Sequence, residues 1–207
     1  MQSAHSEVRD TLARYLKYFP CEFGRFELLR EQLASGEDIF ARSNMTGHVT
    51  TSAAVLNPAG NKILLIDHAF LKKWLPPGGH FELPGGLWDS ANREVGEETG
   101  VLDAILHAWS HLHSIPLDID SHAIPANPAK NEGAHFHHDF RFLAVAPESA
   151  LQAQLAEVHA AEWAPVAKLL QSPDERVRHL FDKLSDAGVL FPDAAHGRRP
   201  GSRSRKS

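Results

Sequence analysis

The feature that most constrains this chain is the run REVGEETGV at residues 93–101. On a helix, Glu94, Glu97 and Glu98 are spaced by three and four residues, so their carboxylates share one face. Three like charges on a single turn repel one another unless something compensates for them. A hard divalent cation does so, because Mg²⁺ binds a few carboxylates together with waters and substrate phosphates. The run therefore predicts a helix that holds a metal ion, and a solvated acidic face is the alternative.

The flanks of this run set the limits of the predicted helix. Asp89 and Ser90 are both suited to cap a helix N-terminus through a side-chain oxygen, and Gly100 stands where a C-terminal capping glycine belongs. Between them, Ala91 and Val95 form an apolar stripe that is separate from the acidic face. We therefore expect a helix over residues 89–99 that packs by one side and presents its glutamates on the other.

Gly79 extends the pattern, since it stands fourteen residues before Arg93. These residues fit all but one position of the motif G-x5-E-x7-R-E-U-x-E-E-x-G-U, in which U is aliphatic, and the chain thereby resembles the Nudix hydrolase superfamily. The motif covers Gly79–Val101 and the wider similarity about Gly47–Leu170. The resemblance implies an α/β fold, the Nudix-type α/β/α sandwich with a mixed β-sheet. It also implies a hydrolase that directs water onto a phosphorus atom of a diphosphate linkage.

The resemblance implies roles for individual residues as well. Glu94, Glu97 and Glu98 correspond to the family's metal ligands, assisted by the backbone carbonyl of Gly79. The expected cofactor is Mg²⁺ or Mn²⁺, which stabilises transition-state charge and makes hydroxide available near neutral pH. Arg93 lies one turn before Glu97 and is placed to hold it in register. Arg93 and the three glutamates are the predicted catalytic residues, and the expected substrate is a nucleoside diphosphate-linked or related metabolite.

One position departs from the motif. Its first glutamate falls at residue 85, where this chain has Gly85. Glu82, three residues earlier in the same glycine-rich loop, is the predicted replacement in the metal site, because glycines let the loop re-route its backbone. Asp89 is a second candidate. The departure leaves open an alternative function, in which the chain is a catalytically degenerate Nudix-fold protein that binds or senses a ligand without turnover.

A second polar stretch, HFHHDFRF at residues 135–142, has the pattern of a strand with two unlike faces. One face carries His135, His137, Asp139 and Arg141, and the other carries one histidine and three phenylalanines. The apolar face is the one that meets the core, so we expect the polar face to line the substrate cleft. Arg141 is suited to bind a phosphate oxygen, and His137 or Asp139 to position the attacking water or act as general base.

Two other interpretations of this polar face stay open. It is also compatible with a strand that faces solvent, and with a metal site made of two histidines and a carboxylate. His80, directly after Gly79, is a further candidate substrate-binding residue that is placed to contact a phosphate. A surface position in the loop is the alternative for His80.

The rest of the chain predicts strands interleaved with helices. Two short helices are expected between Ser6 and Leu33. The predicted strands are His48–Leu56 and Lys62–Ile66, which form a hairpin, then Asp103–Ala108, His111–Asp118 and His135–Ala146, and further helices are predicted at Val166–Leu170 and Pro173–Leu184. The Pro- and Ala-rich loop His122–Gly133 is a candidate lid. This order indicates a mixed sheet covered by helices on its faces.

The length of the chain sets the number of domains. Its 207 residues accommodate one catalytic core, which commonly needs about 100–200 residues, and a short extension. We predict an N-terminal helical extension at residues 1–45 and a Nudix hydrolase domain at residues 46–190. A basic, disordered tail is predicted at residues 191–207.

The distribution of charge bears on the partners. Five of the 21 basic residues lie in residues 196–207, which hold no acidic residue, so the remainder has 16 basic and 26 acidic residues. An acidic body does not favour nucleic acid, whose phosphates are bound mainly through clustered Lys and Arg. An RNA-binding role would rest on the tail alone. We therefore expect a small-molecule diphosphate substrate as the partner, and a homodimer is left open.

Sequence features also indicate the compartment. No apolar run approaches the roughly 18 residues that a membrane span needs, and the first residues do not resemble a secretory signal. Cys21 is the single cysteine and provides no internal disulfide. We expect a soluble, cytoplasmic protein without a membrane partner.

Overall fold

The computed structural model describes residues 2–128, 132–153 and 158–190, and the predicted basic tail lies outside the described residues. The helices are α1 (Gln2–Tyr18), α2 (Glu27–Ser35), α3 (Leu87–Thr99), α4 (Ala108–His113) and α5 (Glu175–Asp186), with 3-10 helices at Pro20–Phe26 and Val166–Gln171. The strands are β1 (Gly47–Leu56), β2 (Lys62–His68), β3 (Lys73–Leu75), β4 (Gly78–His80), β5 (Ile105–Leu106), β6 (Asp118–Ile124), β7 (His135–Val145) and β8 (Val158–Pro165).

The eight strands form one mixed sheet, as predicted. The central path runs β3-β2-β1-β7-β5, while β4 pairs with β1, β6 with β7 and β8 with β2. The pairing of β1 with β7 is parallel and the other pairings are antiparallel. The predicted hairpin is confirmed, since Leu56 of β1 pairs with Ile63 of β2. Because β1 and β7 are parallel, residues about 90 positions apart in the chain lie side by side at the centre of the sheet.

Alternating residues of β1 build the two cores. Ala53 and Val55 pack with Val95 of α3 on one face, whereas Ala54 and Leu56 pack on the other face with the helices that follow β8. The α5 residues of that second cluster are Val177, Leu180, Phe181 and Leu184. Each large aliphatic side chain buried in this way contributes about 1.5–3 kcal/mol. The α/β/α sandwich expected from the sequence is therefore the observed fold.

The N-terminal helices complete the core on the α3 side. Val8, Leu12 and Tyr15 of α1 are buried in the same cluster as Phe140 and Phe142 of β7. The two short helices expected in this region are confirmed, and α1 extends back to Gln2. The proposed domain boundary at residue 45 stays a prediction. Residues before and after this boundary pack in the same apolar cluster.

One predicted strand was longer than the observed one, and another was wrong. The segment predicted as strand at 103–108 pairs with β7 only through Ile105 and Leu106. The segment predicted as strand at 111–118 instead contains the second half of α4, and β6 begins at its last residue. The physical reason is a cap, because the Nδ1 atom of His107 accepts a hydrogen bond from the Trp109 backbone N–H at 3.1 Å and nucleates a helical turn.

The predicted lid loop is shorter than expected. His122–Ile124 belongs to β6, which pairs with β7, and Asn127 forms an isolated bridge with Glu132. Residues 129–131 lie outside the described residues. Among the helices that are described, none combines the length and the apolar character that crossing a lipid bilayer requires.

Candidate active site

The predicted acidic helix is confirmed as α3, but its N-terminal cap is not the predicted one. Gly86 is the N-cap residue, and Asp89 accepts a hydrogen bond from the Gly86 N–H at 2.9 Å. The Leu87 N–H donates to the Glu7 carboxylate of α1 at 3.0 Å. Gly100 ends the helix in the left-handed region, with φ of 76°, as expected for a capping glycine. Asp89 thus acts from the third helical position, where it satisfies a free N–H group.

Arg93 connects two of the three glutamates on α3. Its Nη2 atom donates to the Glu94 carboxylate at 2.7 Å, and its Nη1 atom donates to Glu97 at 2.6 Å. Nη2 also donates to the backbone carbonyl of His80 at 3.3 Å. The guanidinium therefore fixes both carboxylates relative to strand β4, which contains His80.

Glu98 is held by a different donor. It is 4% exposed, and its carboxylate accepts a hydrogen bond from the Gly78 backbone N–H at 2.9 Å. The Glu97 side chain, in contrast, is 50% exposed. The three carboxylates thus range from buried to exposed, and one of them, Glu98, is oriented directly by a group of β4.

Gly79 lies against Glu94. A Cβ atom built at Gly79 would stand 2.5 Å from one carboxylate oxygen of Glu94 and 2.8 Å from the other. Real atoms do not approach so closely, so any side chain at residue 79 would displace the Glu94 carboxylate. The close contact explains in physical terms why a glycine precedes the glutamates by this spacing.

The electrostatics of this cluster favour a cation. Burial is the main cause that raises the pKa of Glu94, and the negative charges of Glu97 and Glu82 raise it further against the opposing effect of Arg93. Burial, together with these two carboxylates, therefore outweighs the effect of Arg93 on the pKa of Glu94. An oxygen donor set of this kind fits a hard divalent cation.

Glu82 and Gly85 lie in the loop between β4 and α3. The Glu82 carboxylate lies 3.8 Å from Arg93 Nη2, with 62% of its side chain exposed. Gly85 adopts φ of 150°, and a Cβ atom there would stand 3.3 Å from the Asp89 Cβ. Such a backbone disfavours any side chain at residue 85, so the loop has a conformation that the family's glutamate does not fit.

The polar face predicted on β7 continues across three strands. The pairs from β1 to β7 are His48 with His137, Thr50 with Asp139, and Ser52 with Arg141. The pairs from β6 to β7 are Asp118 with Arg141, Asp120 with Asp139, and His122 with His137. The interpretation as a strand that faces solvent is wrong, because Asp139 and Arg141 are only 6% and 8% exposed.

Arg141 is surrounded by protein groups. Its guanidinium donates to Asp139 at 3.0 Å and lies 3.5 Å from Asp118. The Ser52 hydroxyl donates to the same Asp139 carboxylate at 2.6 Å. These contacts satisfy a buried charge, as burial requires, and the phosphate-binding role of Arg141 stays a prediction.

Histidines dominate the end of this face next to β4. The His80 ring centroid lies 5.0 Å from that of His48 and 5.3 Å from that of His137. Burial, followed by the neighbouring histidines, lowers the pKa of His137 to about 2. His137 is therefore neutral near pH 7, with a free nitrogen lone pair. The cluster as a whole consists of His48, His80, His122, His135 and His137.

His48 and His122 were not predicted as site residues from the sequence. His48 begins a predicted strand in which Thr50 and Ser52 follow at alternate positions. That period of two was a usable signal for a polar face. Its partner face on β7 lies 89 residues away, and only the parallel pairing of the strands brings the two together.

Comparison with known proteins agrees with this architecture. Residues 46–184 match the family described as NUDIX domain. The chain is 33% identical to the probable DHNTP pyrophosphohydrolase of Lactococcus lactis subsp. cremoris (strain MG1363) over 127 residues, which cover 61% of this chain and 71% of that protein.

Solved structures share the fold at low identity. An Ap4A hydrolase binary complex from C. elegans superposes with a TM-score of 0.50 and 17% identity over 67% of this chain and 95% of that one. A NUDIX-family hydrolase from Clostridium perfringens also has a TM-score of 0.50, with 21% identity over 67% of this chain and 96% of that one. These two likenesses concern the fold alone.

Proposed function

Because the chain belongs to the NUDIX domain family over residues 46–184, we propose that it is a metal-dependent hydrolase that cleaves a diphosphate linkage in a nucleoside diphosphate-linked or related metabolite. The observation that carries this proposal is the arrangement of Glu94, Glu97 and Glu98 on one helix, with two of them joined by Arg93. The name of the Lactococcus lactis relative, a probable pyrophosphohydrolase, supports the same class of bond.

The carboxylate cluster is the proposed site of Mg²⁺ or Mn²⁺. Glu94, Glu97 and Glu98 would hold the ion together with the Gly79 carbonyl, and Glu82 would contribute from the loop. When bound, such an ion stabilises transition-state charge and makes hydroxide available near neutral pH. The chain's own contribution is positioning, because the Gly78 N–H orients Glu98 and Arg93 orients Glu94 and Glu97.

The histidine end of the polar face is the proposed substrate side. Three of its members, His80, His122 and His137, are half-buried. The backbone carbonyl of His80 accepts a hydrogen bond from Arg93 and so links this side to the carboxylate cluster. His135, Asp139 and Arg141 complete this proposed substrate-binding set. The buried pairing of Arg141 with Asp139 would then keep the strand rigid under the substrate.

A second candidate function is ligand binding without turnover. It is favoured by Gly85, whose φ of 150° leaves no place for the first glutamate of the motif. Glu82 is the residue that separates the two functions, since its carboxylate lies 3.8 Å from Arg93 and is placed to compensate. A ligand sensor would not need Glu82.

The test is a metal-dependent hydrolysis assay on the full chain. Nucleoside diphosphate sugars, dinucleoside polyphosphates, coenzyme diphosphates and nucleoside triphosphates would each be incubated with Mg²⁺ or Mn²⁺, and released phosphate or nucleotide would be measured. We expect at least one substrate to be cleaved, and Glu97→Gln and Glu98→Gln to lower turnover by about 10²-fold or more while the fold persists.

Two further variants sharpen the assay. Glu82→Ala should also reduce turnover, whereas Glu31→Gln, an exposed glutamate on α2, should behave as the parent. Near-normal activity of both Glu97→Gln and Glu98→Gln would reject the catalytic assignment. A ligand from the panel that binds with no cleavage under either metal would support the sensor instead.

A further inference from the structure

Three histidines of the polar face meet in a geometry that suits a metal ion. One ring nitrogen from each of His48, His135 and His137 lies within 4.8 Å of the other two. His48 and His137 are direct partners across the parallel strands β1 and β7, and His135 lies two residues before His137 on the same face. The sheet itself therefore sets the spacing of the three rings.

The His48 ring has one nitrogen without a partner. Its Nδ1 atom lies 3.2 Å from the Asn44 carbonyl oxygen. The Nε2 atom is buried and has no hydrogen-bond partner among the described residues. His48 as a whole residue is only 1% exposed. Buried polar atoms are rarely left unsatisfied, so this nitrogen indicates a partner that the polypeptide does not supply.

Backbone carbonyls orient two of the rings in the same way. The Nδ1 atom of His135 lies 2.8 Å from the Gly133 carbonyl oxygen. The Nδ1 atom of His48 has the same kind of contact with the Asn44 carbonyl oxygen, at 3.2 Å. A carbonyl accepts only, so each Nδ1 carries the proton and each Nε2 carries a lone pair. Metal-bound histidines are oriented by such a bond on the other ring nitrogen.

The spacing between His135 and His137 fits shared coordination. Their Nε2 atoms are 3.1 Å apart. Two imidazole nitrogens bound to one ion at about 2.1 Å stand roughly 3.0–3.4 Å from each other in octahedral or tetrahedral geometry. Without an ion, the Nε2 atom of His137 must carry a proton to form a hydrogen bond with the Nε2 atom of His135. The Nε2 atom of His48 would still have no hydrogen-bond partner among the described residues.

We propose that His48, His135 and His137 form a second metal site, which binds a transition-metal ion such as Zn²⁺ and is separate from the carboxylate cluster on α3. Imidazole ligands suit Zn²⁺, Cu²⁺ and Ni²⁺, whereas Mg²⁺ prefers oxygen. Three protein ligands leave a coordination position for water or for an anionic oxygen of a ligand. His80 lies at the edge of this site, with its ring 5.0 Å from His48.

The two sites are joined through β4. Thr50 of the histidine face pairs with His80, and the next residue, Thr51, pairs with Gly79 on the side of α3. A ligand that reaches His80 is thus adjacent to both donor sets. The two sites differ in ligand chemistry, and each is therefore testable without the other.

The experiment measures metal binding to the full, untagged chain after treatment with a chelator. Zn²⁺ binding is followed by calorimetry, and Co²⁺ serves as a visible-absorption probe of nitrogen ligands. We expect one Zn²⁺ per chain at the histidine site. His48→Gln and His135→Gln should each weaken it by at least about 100-fold, the upper end of the effect of losing an outer-shell partner. His111→Gln, an exposed histidine on α4, is the matched control.

Glu97→Gln separates this proposal from the proposed hydrolysis, because it should leave Zn²⁺ binding unchanged. Zn²⁺ binding that survives in His48→Gln and His135→Gln but is lost in Glu97→Gln would overturn the proposal, as would the absence of tight Zn²⁺ binding by the parent. If both histidine variants fail to fold, X-ray absorption of the Zn²⁺-loaded parent decides, since a shell without about three imidazole nitrogens would refute the site.

Discussion

Gly79→Ala tests how closely the strand and the glutamate helix must meet. A Cβ atom at Gly79 would lie 2.5 Å from a carboxylate oxygen of Glu94, whereas ordinary contact begins at 3.4 Å. The carboxylate must therefore retreat by about 0.9 Å. Because the atoms in the way are the end of a flexible side chain, the fold can accommodate this shift at little cost.

The expected loss of activity follows from that displacement. A misplacement of about 1 Å in a catalytic group costs about 10²-fold in rate, which corresponds to about 2.7 kcal/mol of activation free energy. We therefore expect Gly79→Ala to lower kcat/KM by about 10²-fold while the thermal unfolding midpoint changes by only a few degrees. The assay is hydrolysis of whichever substrate the panel identifies, together with a thermal melt.

Two other glycines serve as controls for Gly79→Ala. At Gly24 an added Cβ would meet no atom within 4 Å, so Gly24→Ala should leave activity unchanged. At Gly78 it would stand 2.6 Å from the Thr51 carbonyl oxygen, a backbone atom that cannot retreat, so Gly78→Ala should destabilise the fold itself. Full activity of Gly79→Ala would refute the view that the position of Glu94 controls the rate.

Two further predictions concern stability. Lys183→Met should lower the free energy of unfolding by about 1.5–3 kcal/mol in urea titrations, because it removes the charged hydrogen bonds that Lys183 donates to Glu22 and Tyr15. Arg25 and Arg141 still face the carboxylates of Glu22 and Asp118. The exposed Lys17→Met is the control, and an equal effect of both would contradict this account. Burial raises the pKa of Asp174, but hydrogen bonds from Arg176 and Lys73 outweigh it and hold the pKa below its ordinary value of 3.8. A carboxyl whose pKa is lowered by folding stabilises the fold above pH 3.8, and this stabilisation is lost as the pH falls through the folded-state pKa. Asp174→Asn should therefore be less stable than the parent by about 1 kcal/mol at pH 7. Thermal melts in which this difference fails to narrow below about pH 4 would count against the ion pairs.

The elements that were predicted correctly from the sequence are those whose residue pattern lies within the element itself. Helix α3 was identified from the spacing of Glu94, Glu97 and Glu98 and from Gly100, all within one segment. Strand β7 was identified from alternation within its own eleven residues. In each case the periodicity and the packing agree, so the local pattern was sufficient.

The failures came from a local side-chain cap and from contacts between distant segments. A strand was predicted near His111, but the His107 side chain caps a helix there. The alternative in which the polar face of β7 meets solvent was wrong, because Arg141 is only 8% exposed. The neighbouring Asp120 accepts a hydrogen bond from Arg25, 95 residues earlier. Propensity within a segment contains no information about which distant element covers it.

A hydrogen bond between helices α1 and α5 has a consequence for synthesis in the cell. The Tyr15 hydroxyl of α1 accepts a hydrogen bond at 2.7 Å from the ammonium group of Lys183 in α5, 168 residues later. At about 5–20 residues per second, the ribosome adds that lysine roughly 10–30 s after the tyrosine. During this interval α1 exists without its final partner, and its apolar stripe of Val8, Leu12 and Tyr15 needs protection from other chains. Helix α1 is thus made well before the contact with α5 can form.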